Sequence, residues 1–319
     1  MKAMLLERTG QPLRAAELPD PEPGAGLVRV RVRACGVCRT DLHIVDGDVM
    51  PGHLPLILGH QIVGTREDTG QRVGIPWLGW TCGACRFCLQ DRENLCENAR
   101  FTGRDIDGGF AELTVVDPRY CLTLPDSFDD VSAAPLLCGG LIGYRALCLT
   151  GDAERLGIYG FGSAAHVVCQ VAVHEGRRVH AFTRPGDDAS QAFALSVGAT
   201  WAGGSDVPAP EPLDAVIIFA SDGRLIPTAL RSITKGGVVV CAGIHMTDVP
   251  AFPYADLWGE RVIRSVANLT RADGRAFLEV AARIPVKTRV SAYALEDVNN
   301  ALDDLRAGSL RGSAIVTVE

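Results

Sequence analysis

Residues 155–184 read RLGIYGFGSAAHVVCQVAVHEGRRVHAFTR. The stretch opens with an apolar run at 156–159, continues with a helical pattern, and closes with a second apolar run at 179–183. Between the first run and the helix lies G-x-G-x-x-A. Its two glycines permit a tight turn, and the helix N-terminus after them favours a negatively charged pyrophosphate. In this strand–helix–strand context the motif predicts a dinucleotide site formed by Gly160, Phe161, Gly162, Ser163 and Ala164.

The end of the second run indicates which dinucleotide is bound. A site for NAD carries an acidic residue there for the ribose 2′-hydroxyl, whereas this chain has Thr183 and Arg184. Because a guanidinium pairs well with a 2′-phosphate, the sequence favours NADP. Two alternatives stay open: Arg184 is a solvated side chain without a role, or Asp187 or Asp188 turns back toward the ribose.

Strands and helices continue to alternate after residue 184. We expect strands at 213–221, 238–245 and 262–270, and helices at 225–234 and 271–284. Such alternation predicts a parallel sheet that is covered on both faces, and therefore an α/β fold.

The first part of the chain is richer in short strands. Residues 27–35, LVRVRVRAC, alternate apolar and basic side chains, which is typical of a half-buried strand. Residues 127–147 follow with a helical pattern. We expect the last strand of the chain to return to this first part.

Residues 35–61 read CGVCRTDLHIVDGDVMPGHLPLILGHQ. Cys38 and His60 in this stretch are ligands that zinc prefers. Asp41 is suited to hold a ligand imidazole in one tautomer. A zinc site opened by these residues still lacks a third protein ligand, and this need singles out Cys138 further along the chain.

Thr40 and His43 are three positions apart, so one helical turn would place them on the same side. A hydroxyl beside an imidazole is the minimum required to pass a proton to solvent. Taken alone, residues 35–61 are also compatible with unrelated histidines and buried thiols in a turn-rich loop.

Residues 82–96 read CGACRFCLQDRENLC, with the spacing C-x2-C-x2-C-x7-C. Four thiolates in one loop can close a tetrahedral zinc site that leaves no position for substrate, and here they are Cys82, Cys85, Cys88 and Cys96. A pair of disulfides, a redox CxxC motif and an iron–sulfur cluster are the alternatives.

Composition sets limits on partners and location. The net charge of -7 offers no basic patch for nucleic acid, and no apolar run is long enough to span a bilayer. Glu7 and Arg8 interrupt the N-terminal apolar segment, so we expect no signal peptide and a cytoplasmic protein. Eleven cysteines cannot all pair within the chain, and clustered cysteines in a reducing compartment favour metal binding.

The motifs GVCRTDLH with GHQ, the four-cysteine stretch, PLLCGGLIGYRAL, GIYGFGSAAHVV and CAGIHM occur in this order. Together they resemble the zinc-dependent alcohol dehydrogenases of the medium-chain dehydrogenase/reductase family, nearly end to end. The resemblance implies a GroES-like, β-rich catalytic domain at 1–130 and 285–319. It also implies a Rossmann domain, a doubly wound parallel sheet, at 131–284.

The resemblance also implies roles for individual residues. Two zinc ions per chain are implied, a catalytic ion on Cys38, His60 and Cys138 and a structural ion on the four clustered cysteines. Thr40 and His43 match the family's proton relay, and Asp41 its carboxylate behind the zinc ligands. Further cofactor contacts are implied for Gly243, Ile244 and Asn268 at the nicotinamide half and for Arg311 near the phosphates.

Two departures from the family pattern stand out. Gln61 follows His60 where the family commonly has a glutamate that can approach the zinc, and a neutral amide would bind metal less well. Residues 62–72 form a shorter segment than usual, which could alter the substrate cleft or the stability of the domain.

The implied activity is hydride transfer between NADP(H) and a small alcohol or aldehyde, with aldehyde reduction as the favoured direction. The alternatives are a zinc-free enoyl or quinone reductase of the same superfamily and a non-catalytic zinc-binding relative. A homodimer or homotetramer is implied as well, with the edge strand near 262–268 as the pairing surface.

Overall fold

The computed structural model describes residues 1–318. The strands are β1 (Lys2–Leu6), β2 (Arg14–Glu17), β3 (Val28–Val37), β4 (Leu56–Ile57), β5 (Gln61–Arg66), β6 (Arg72–Ile75), β7 (Leu78–Trp80), β8 (Arg100–Phe101), β9 (Leu113–Val116), β10 (Leu122–Thr123), β11 (Arg155–Tyr159), β12 (Arg178–Thr183), β13 (Trp201–Gly204), β14 (Leu213–Ile218), β15 (Ile233–Cys241), β16 (Val262–Ser265), β17 (Val290–Ala294) and β18 (Ser313–Thr317). The helices are α1 (Arg39–Asp46), α2 (Asp130–Ala133), α3 (Gly139–Cys148), α4 (Ser163–His174), α5 (Asp188–Ser196), α6 (Leu225–Ser232), α7 (Tyr254–Leu257), α8 (Arg271–Arg283) and α9 (Val298–Ala307).

The chain forms two compact units. Unit 1 is Met1–Leu141 with Asn268–Glu319, and unit 2 is Ile142–Ala267. The expected domain boundaries at 130/131 and 284/285 both lie inside unit 1. The reason is packing: α8 lies against β10, where Gly274 approaches the Leu122 side chain closely, so the helix belongs with the β-rich unit despite its position in the sequence.

Unit 2 contains a six-stranded sheet in the order β13-β12-β11-β14-β15-β16, with every neighbouring pair parallel. In sequence order these strands follow 3-2-1-4-5-6, the arrangement of a Rossmann sheet, and the predicted α/β fold is confirmed. The central strands β11, β12 and β14 are largely apolar and buried, as expected where helices cover a parallel sheet.

Unit 1 is organised around β3, which pairs with β5, β9 and β18 in a seven-stranded sheet. Val30 and Val32 of β3 are buried whereas Arg31 and Arg33 are exposed, as the alternating sequence predicts. The last strand, β18, lies antiparallel to β3, so the predicted return of the chain to its first part is confirmed. The short segment 62–72 lies within the antiparallel hairpin that β5 forms with β6.

The predicted helix at 127–147 is interrupted. α2 continues as a 3₁₀ turn, Ala134–Leu137, and Cys138 then adopts a non-helical backbone with φ -134° and ψ -71° before α3 begins. The two helical pieces are bent by 44° at this residue. The break places Cys138 between two helical pieces.

Three predicted strands end earlier than expected. Those predicted at 213–221, 238–245 and 262–270 end at Ile218, Cys241 and Ser265, and β15 begins earlier than expected, at Ile233, directly after α6. Cys241 and Ser265 form the last pair in the register of β15 with β16, so these two strands end together. Among the described residues, no single helix has the length and apolar character needed to cross a membrane, although the bent pair at Cys138 passes that test when its two pieces are combined.

Candidate active site

Three potential metal ligands converge in unit 1. Cys38 is the N-cap of α1, His60 directly precedes β5, and Cys138 occupies the break before α3. Their ligand atoms all lie within 4.8 Å of one another, and Cys38 Sγ is 3.1 Å from His60 Nε2. Two thiols and an imidazole are a donor set that suits zinc and leaves one tetrahedral position open.

The electrostatics of this cluster favour a cation. A hydrogen bond from the Cys138 thiol, together with the nearby His60, holds the pKa of Cys38 well below its ordinary value. The same hydrogen bond, with burial, raises the pKa of Cys138. Burial alone would lower the pKa of His60, but the negative charges of Cys38 and Asp41 raise it well above its usual range. The cluster therefore attracts positive charge into a buried position.

Asp41 lies directly behind this cluster and is fully buried. Its Oδ1 is 3.1 Å from His60 Nδ1 and accepts from Gly59 N at 3.2 Å, while Oδ2 accepts from Cys38 N at 2.9 Å. A carboxylate beside Nδ1 keeps a proton on that nitrogen, so Nε2 is the atom that faces the cluster and could bind a metal in place of its own proton. Asp41 thus orients two of the three potential ligands.

Thr40 and His43 lie one turn apart on α1. Thr40 is largely buried and its backbone N–H donates to Cys38 Sγ at 3.3 Å. His43 Nδ1 is 2.8 Å from Asp48 Oδ2, a carboxylate that is 46% exposed. α1 therefore carries a hydroxyl beside the potential metal ligands and an imidazole beside an exposed carboxylate.

Gln61 is buried in β5 directly after His60. A Cβ added to Gly36 would lie 2.6 Å from Gln61 Oε1, so glycine is required there to leave room for the amide. Oε1 is buried and has no hydrogen-bond partner among the residues that the structure describes. The sequence departure at this position therefore leaves an unsatisfied acceptor in the interior.

Aromatic rings pack around His60. Trp77 meets the imidazole edge to face, with ring centroids 4.8 Å apart, and stacks on Phe101 at 5.2 Å. Leu78 is completely buried, so it contributes to the core. Trp258 is exposed in unit 2.

The four clustered cysteines form a second group of potential ligands. The sulfurs of Cys82, Cys85, Cys88 and Cys96 all lie within 4.8 Å of one another. Cys96 Sγ is 3.5 Å from Cys82 Sγ and Cys85 Sγ is 3.6 Å from Cys88 Sγ, distances well beyond a disulfide bond. Backbone N–H groups of Ala84 and Cys85 lower the pKa of Cys82 to about 6, which favours the thiolate that a metal needs.

The glycine turn of unit 2 has the predicted form. β11 ends at Tyr159, α4 begins at Ser163, and β12 then lies parallel to β11. Gly160 has φ +85°, and a Cβ there would lie 2.9 Å from Ala220 N, so no other residue fits. Gly162 has no neighbour within 4 Å of its Cβ position, and Phe161 packs edge-on against Phe193. The turn therefore leaves open space at the positive end of the α4 dipole.

At the end of β12, Thr183 and Arg184 differ in their exposure to solvent. The Thr183 hydroxyl is buried, donates to Arg184 O at 3.1 Å and accepts from Gln191 Nε2 at 3.3 Å. Arg184 is exposed and has no ion pair among the described residues. Asp187 caps α5, accepting from Ser190 N at 3.0 Å and Ser190 Oγ at 2.8 Å. Its carboxylate is therefore engaged within the chain.

The remaining predicted cofactor residues fall into two groups. Gly243 and Ile244 follow β15, at the same edge of the parallel sheet as the glycine turn and Arg184. Asn268 and Arg311 belong to unit 1. Asn268 has φ +55° and a buried Nδ2 without a hydrogen-bond partner in the described chain. Arg311 donates to Gly308 O and Leu310 O, both at 3.2 Å.

Sequence reasoning missed three residues near these sites. Asp48 beside His43 lies just past the end of α1, and its position five residues after the histidine was an available signal. Glu93 and Arg271 contact each other across 178 positions, and nothing in the sequence indicates that contact.

Known proteins resemble the whole chain. Residues 24–126 match the Alcohol dehydrogenase GroES-like domain family. The chain is 41% identical to the "Probable alcohol dehydrogenase AdhA" of Mycobacterium tuberculosis (strain CDC 1551 / Oshkosh), covering 100% of this chain and 97% of the relative. It is 35% identical to an alcohol dehydrogenase of Geobacillus stearothermophilus, with 100% of each chain covered.

A solved structure agrees with these relatives. The cobalt and zinc bound thermostable alcohol dehydrogenase from Pyrobaculum aerophilum superposes with a TM-score of 0.90 at 25% identity, covering 100% of this chain and 99% of that chain. Given the near-complete coverage at 41% identity, the GroES-like match and the two potential metal-ligand clusters, the chain belongs to the zinc-dependent alcohol dehydrogenases of the medium-chain dehydrogenase/reductase family.

Proposed function

We propose that the protein is an NADP(H)-dependent alcohol dehydrogenase that acts on small alcohols and aldehydes and works chiefly as an aldehyde reductase. The observation that carries this proposal is the convergence of Cys38, His60 and Cys138 within 4.8 Å, with Asp41 behind them and Thr40 beside them. Zinc held by these three residues would supply a Lewis acid for the substrate oxygen.

The chain's own groups handle the proton. The Thr40 hydroxyl gives a proton to the developing alkoxide in reduction and takes it back in oxidation. His43 accepts from or donates to this hydroxyl, and Asp48 on its Nδ1 leaves Nε2 as the atom that exchanges the proton. Because Asp48 is 46% exposed, the proton reaches water at this end.

The cofactor is assigned to the carboxyl edge of the sheet in unit 2. The glycine turn and the α4 N-terminus suit a pyrophosphate, and the exposed Arg184 suits a 2′-phosphate. Engagement of Asp187 by Ser190 supports NADP over NAD, since it removes the nearest carboxylate from competition for the ribose. NADPH bound there would supply the hydride for aldehyde reduction.

The four-cysteine lobe, residues 82–96, is assigned a second, structural zinc ion. Four thiol groups at mutual contact distance suit a closed site, and the thiolate character of Cys82 adds support. The proposed content is therefore two zinc ions per chain in a cytoplasmic protein.

Assembly is assigned to the edge of the sheet in unit 2. β16 is an edge strand whose four residues are all exposed, and Val262 and Ile263 are 47% and 36% exposed. An edge strand offers unpaired backbone groups to another copy, and Val262 and Ile263 add exposed apolar side chains. We therefore propose a homodimer, or a homotetramer built from such dimers.

One experiment tests the core of the proposal. Purified, fully loaded protein is analysed for zinc and then assayed with NADPH and NADH on a panel of short and aromatic aldehydes. We expect two zinc ions per chain and NADPH-linked reduction. Turnover by protein without metal in the site of Cys38 would support the zinc-free reductase instead, and two zinc ions without turnover would support a non-catalytic relative.

A further inference from the structure

Glu93 connects the four-cysteine lobe to a distant part of unit 1. It lies in the 3₁₀ turn Glu93–Leu95, whose last bond runs from Cys96 N to Glu93 O at 3.0 Å, so the fold of the lobe sets its position. Its carboxylate is almost completely buried and accepts from Arg271 N at 3.0 Å and from Arg271 Nε at 3.2 Å. Buried acids are rare, and this one has a specific partner.

The partner is the first residue of α8. Thr270 and Asp273 form a capping box at this helix start, with Asp273 N donating to Thr270 Oγ1 at 3.1 Å and Thr270 N donating to Asp273 Oδ2 at 2.8 Å. Glu93 satisfies the Arg271 amide, which the box leaves unpaired. The helix terminus is thus completed by a group from the lobe.

A second contact supports the same connection. The Arg271 guanidinium lies over the Tyr120 ring, 5.2 Å from its centroid, and the Tyr120 hydroxyl is 2.6 Å from Thr81 Oγ1. Thr81 directly precedes Cys82, the first ligand of the lobe. Glu93, near the end of the lobe, therefore contacts Arg271 directly, and Thr81, just before its start, contacts the Tyr120 ring on which Arg271 lies.

The segment that these contacts hold contains Asn268. This residue has φ +55°, a left-handed conformation that is uncommon outside glycine and that asparagine adopts more readily than other side chains. Its Nδ2 is buried without a hydrogen-bond partner in the described chain, so a polar group prepared for a ligand lies three residues before Arg271.

We propose that Glu93 is a positioning residue for cofactor binding. Through the N-terminus of α8 it holds Asn268 in the orientation that the nicotinamide half of the cofactor requires, so the four-cysteine lobe sets cofactor affinity in addition to stabilising the fold. This inference rests on the proposed function, because it takes Asn268 to be a residue that contacts the NADP(H) of that function.

The test compares two substitutions at Arg271 in the full-length, zinc-loaded protein. Arg271→Pro removes the N–H that Glu93 accepts, at a first helical position where proline fits, and Thr270 with φ -94° and ψ 161° tolerates a following proline. Arg271→Ala removes the guanidinium and keeps the N–H. We expect the NADPH dissociation constant, measured by equilibrium titration, to be about tenfold higher for Arg271→Pro than for Arg271→Ala, as for a lost interaction of about 1.4 kcal/mol.

Substitutions at Glu93 complete the test. Glu93→Ala should raise the dissociation constant and KM for NADPH while kcat at saturating cofactor stays within about twofold, and Glu93→Gln, which keeps an acceptor oxygen, should restore most of the affinity. Glu97→Ala, at an exposed acid directly after the lobe, is the matched control and should bind like the wild type. Combining Glu93→Ala with Asn268→Ala should add little to Asn268→Ala alone.

The outcomes separate the two proposals. A wild-type protein that binds neither NADPH nor NADH would refute the proposed function. Normal wild-type binding with equal constants for Arg271→Pro and Arg271→Ala, or additive effects of Glu93→Ala and Asn268→Ala, would overturn the role of Glu93. Zinc content is measured for each variant, and loss of affinity only in variants that have lost zinc would also overturn it.

Discussion

Asp41 shows how a single buried side chain organises a site. Its two oxygens hold the Cys38 amide, the Gly59 amide and the His60 ring, so both the backbone and the tautomer around the cluster depend on it. Burial raises the pKa of Asp41, while its bonds to His60 and Cys38 oppose that rise.

Thr40 is expected to carry the proton. Thr40→Ala keeps Cys38, His60 and Cys138 but removes the hydroxyl, so we expect kcat to fall by about 10²–10⁴, the usual contribution of general acid–base catalysis. Thr40→Ser retains the hydroxyl and should keep much of the activity. Steady-state kinetics with zinc content as a control measures both. Wild-type turnover by Thr40→Ala would exclude the relay.

Arg184 is expected to determine the choice of cofactor. Arg184→Ala removes the positive charge from the end of β12, so we expect NADPH binding to weaken by about 1.5–3 kcal/mol and NADH binding to stay nearly constant. Titration of both cofactors against both proteins measures this difference. An equal loss for the two cofactors, or a wild-type preference for NADH, would direct attention to Asp188, which is exposed in the same turn.

At the scale of elements, α4 serves both the cofactor turn and the core. His166 lies completely buried in its first turns, with Nδ1 3.3 Å from Gly162 O and its ring beside Phe193. Burial lowers the pKa of His166 to about 4, although its bonds to the backbone oppose the shift. The helix that begins at the glycine turn therefore carries a neutral histidine in its interior.

This histidine predicts a pH dependence of stability. In the unfolded chain His166 takes up a proton below about pH 6.5, whereas in the folded chain it does so only near pH 4. Its contribution to the free energy of unfolding is therefore complete above pH 6.5 and falls by up to about 3 kcal/mol as the pH is lowered to 4.

Replacing His166 tests the assignment. His166→Gln should unfold with a shallower pH dependence between pH 6.5 and 4 than the wild type, as measured by urea denaturation at matched zinc content. The comparison of slopes cancels contributions from other groups. Parallel curves for the two proteins would contradict the assignment.

At the scale of the molecule, both clusters of potential metal ligands belong to Met1–Leu141 in unit 1. Unit 2 has its own buried core, which includes Tyr159, Phe182 and Leu213. Because structural metal binding is coupled to folding, we expect a chelator to reduce hydrogen-exchange protection in unit 1 while Ile142–Ala267 stay protected. Adding zinc back should restore unit 1. Uniform loss across the chain, or no loss anywhere, would disagree with this division.

The edge strand β16 makes assembly testable. Ile263→Lys places a charge on the exposed edge, and we expect it to shift the protein from dimer or tetramer toward monomer in light scattering. Leu89→Lys is the control, because Leu89 is an exposed apolar residue on the four-cysteine lobe and lies outside this edge. A wild-type monomer, or the same loss of assembly in both variants, would argue against pairing through β16.

The sequence by itself determined the features that depend on short spacings. The alternation of 27–35 predicted β3, the glycine pattern predicted the turn at Gly160, and the order of strands and helices predicted the parallel sheet of unit 2. Each of these depends on periodicity or on the conformation of a few neighbouring residues, so the information is local. The same holds for the four-cysteine lobe, whose ligands lie within one loop.

Only the tertiary structure decided the features that join distant segments. Packing of α8 on β10 moved the unit boundary to Asn268, and the backbone break at Cys138 interrupted the predicted helix. The pairing of β15 with β16 ends both strands together, at Cys241 and Ser265. The contact of Glu93 with Arg271 spans 178 positions and has no periodic signal. Such contacts depend on how whole elements pack. The buried Glu93 carboxylate and the Arg271 amide become partners only in the folded chain, because spacing along the sequence does not specify their contact.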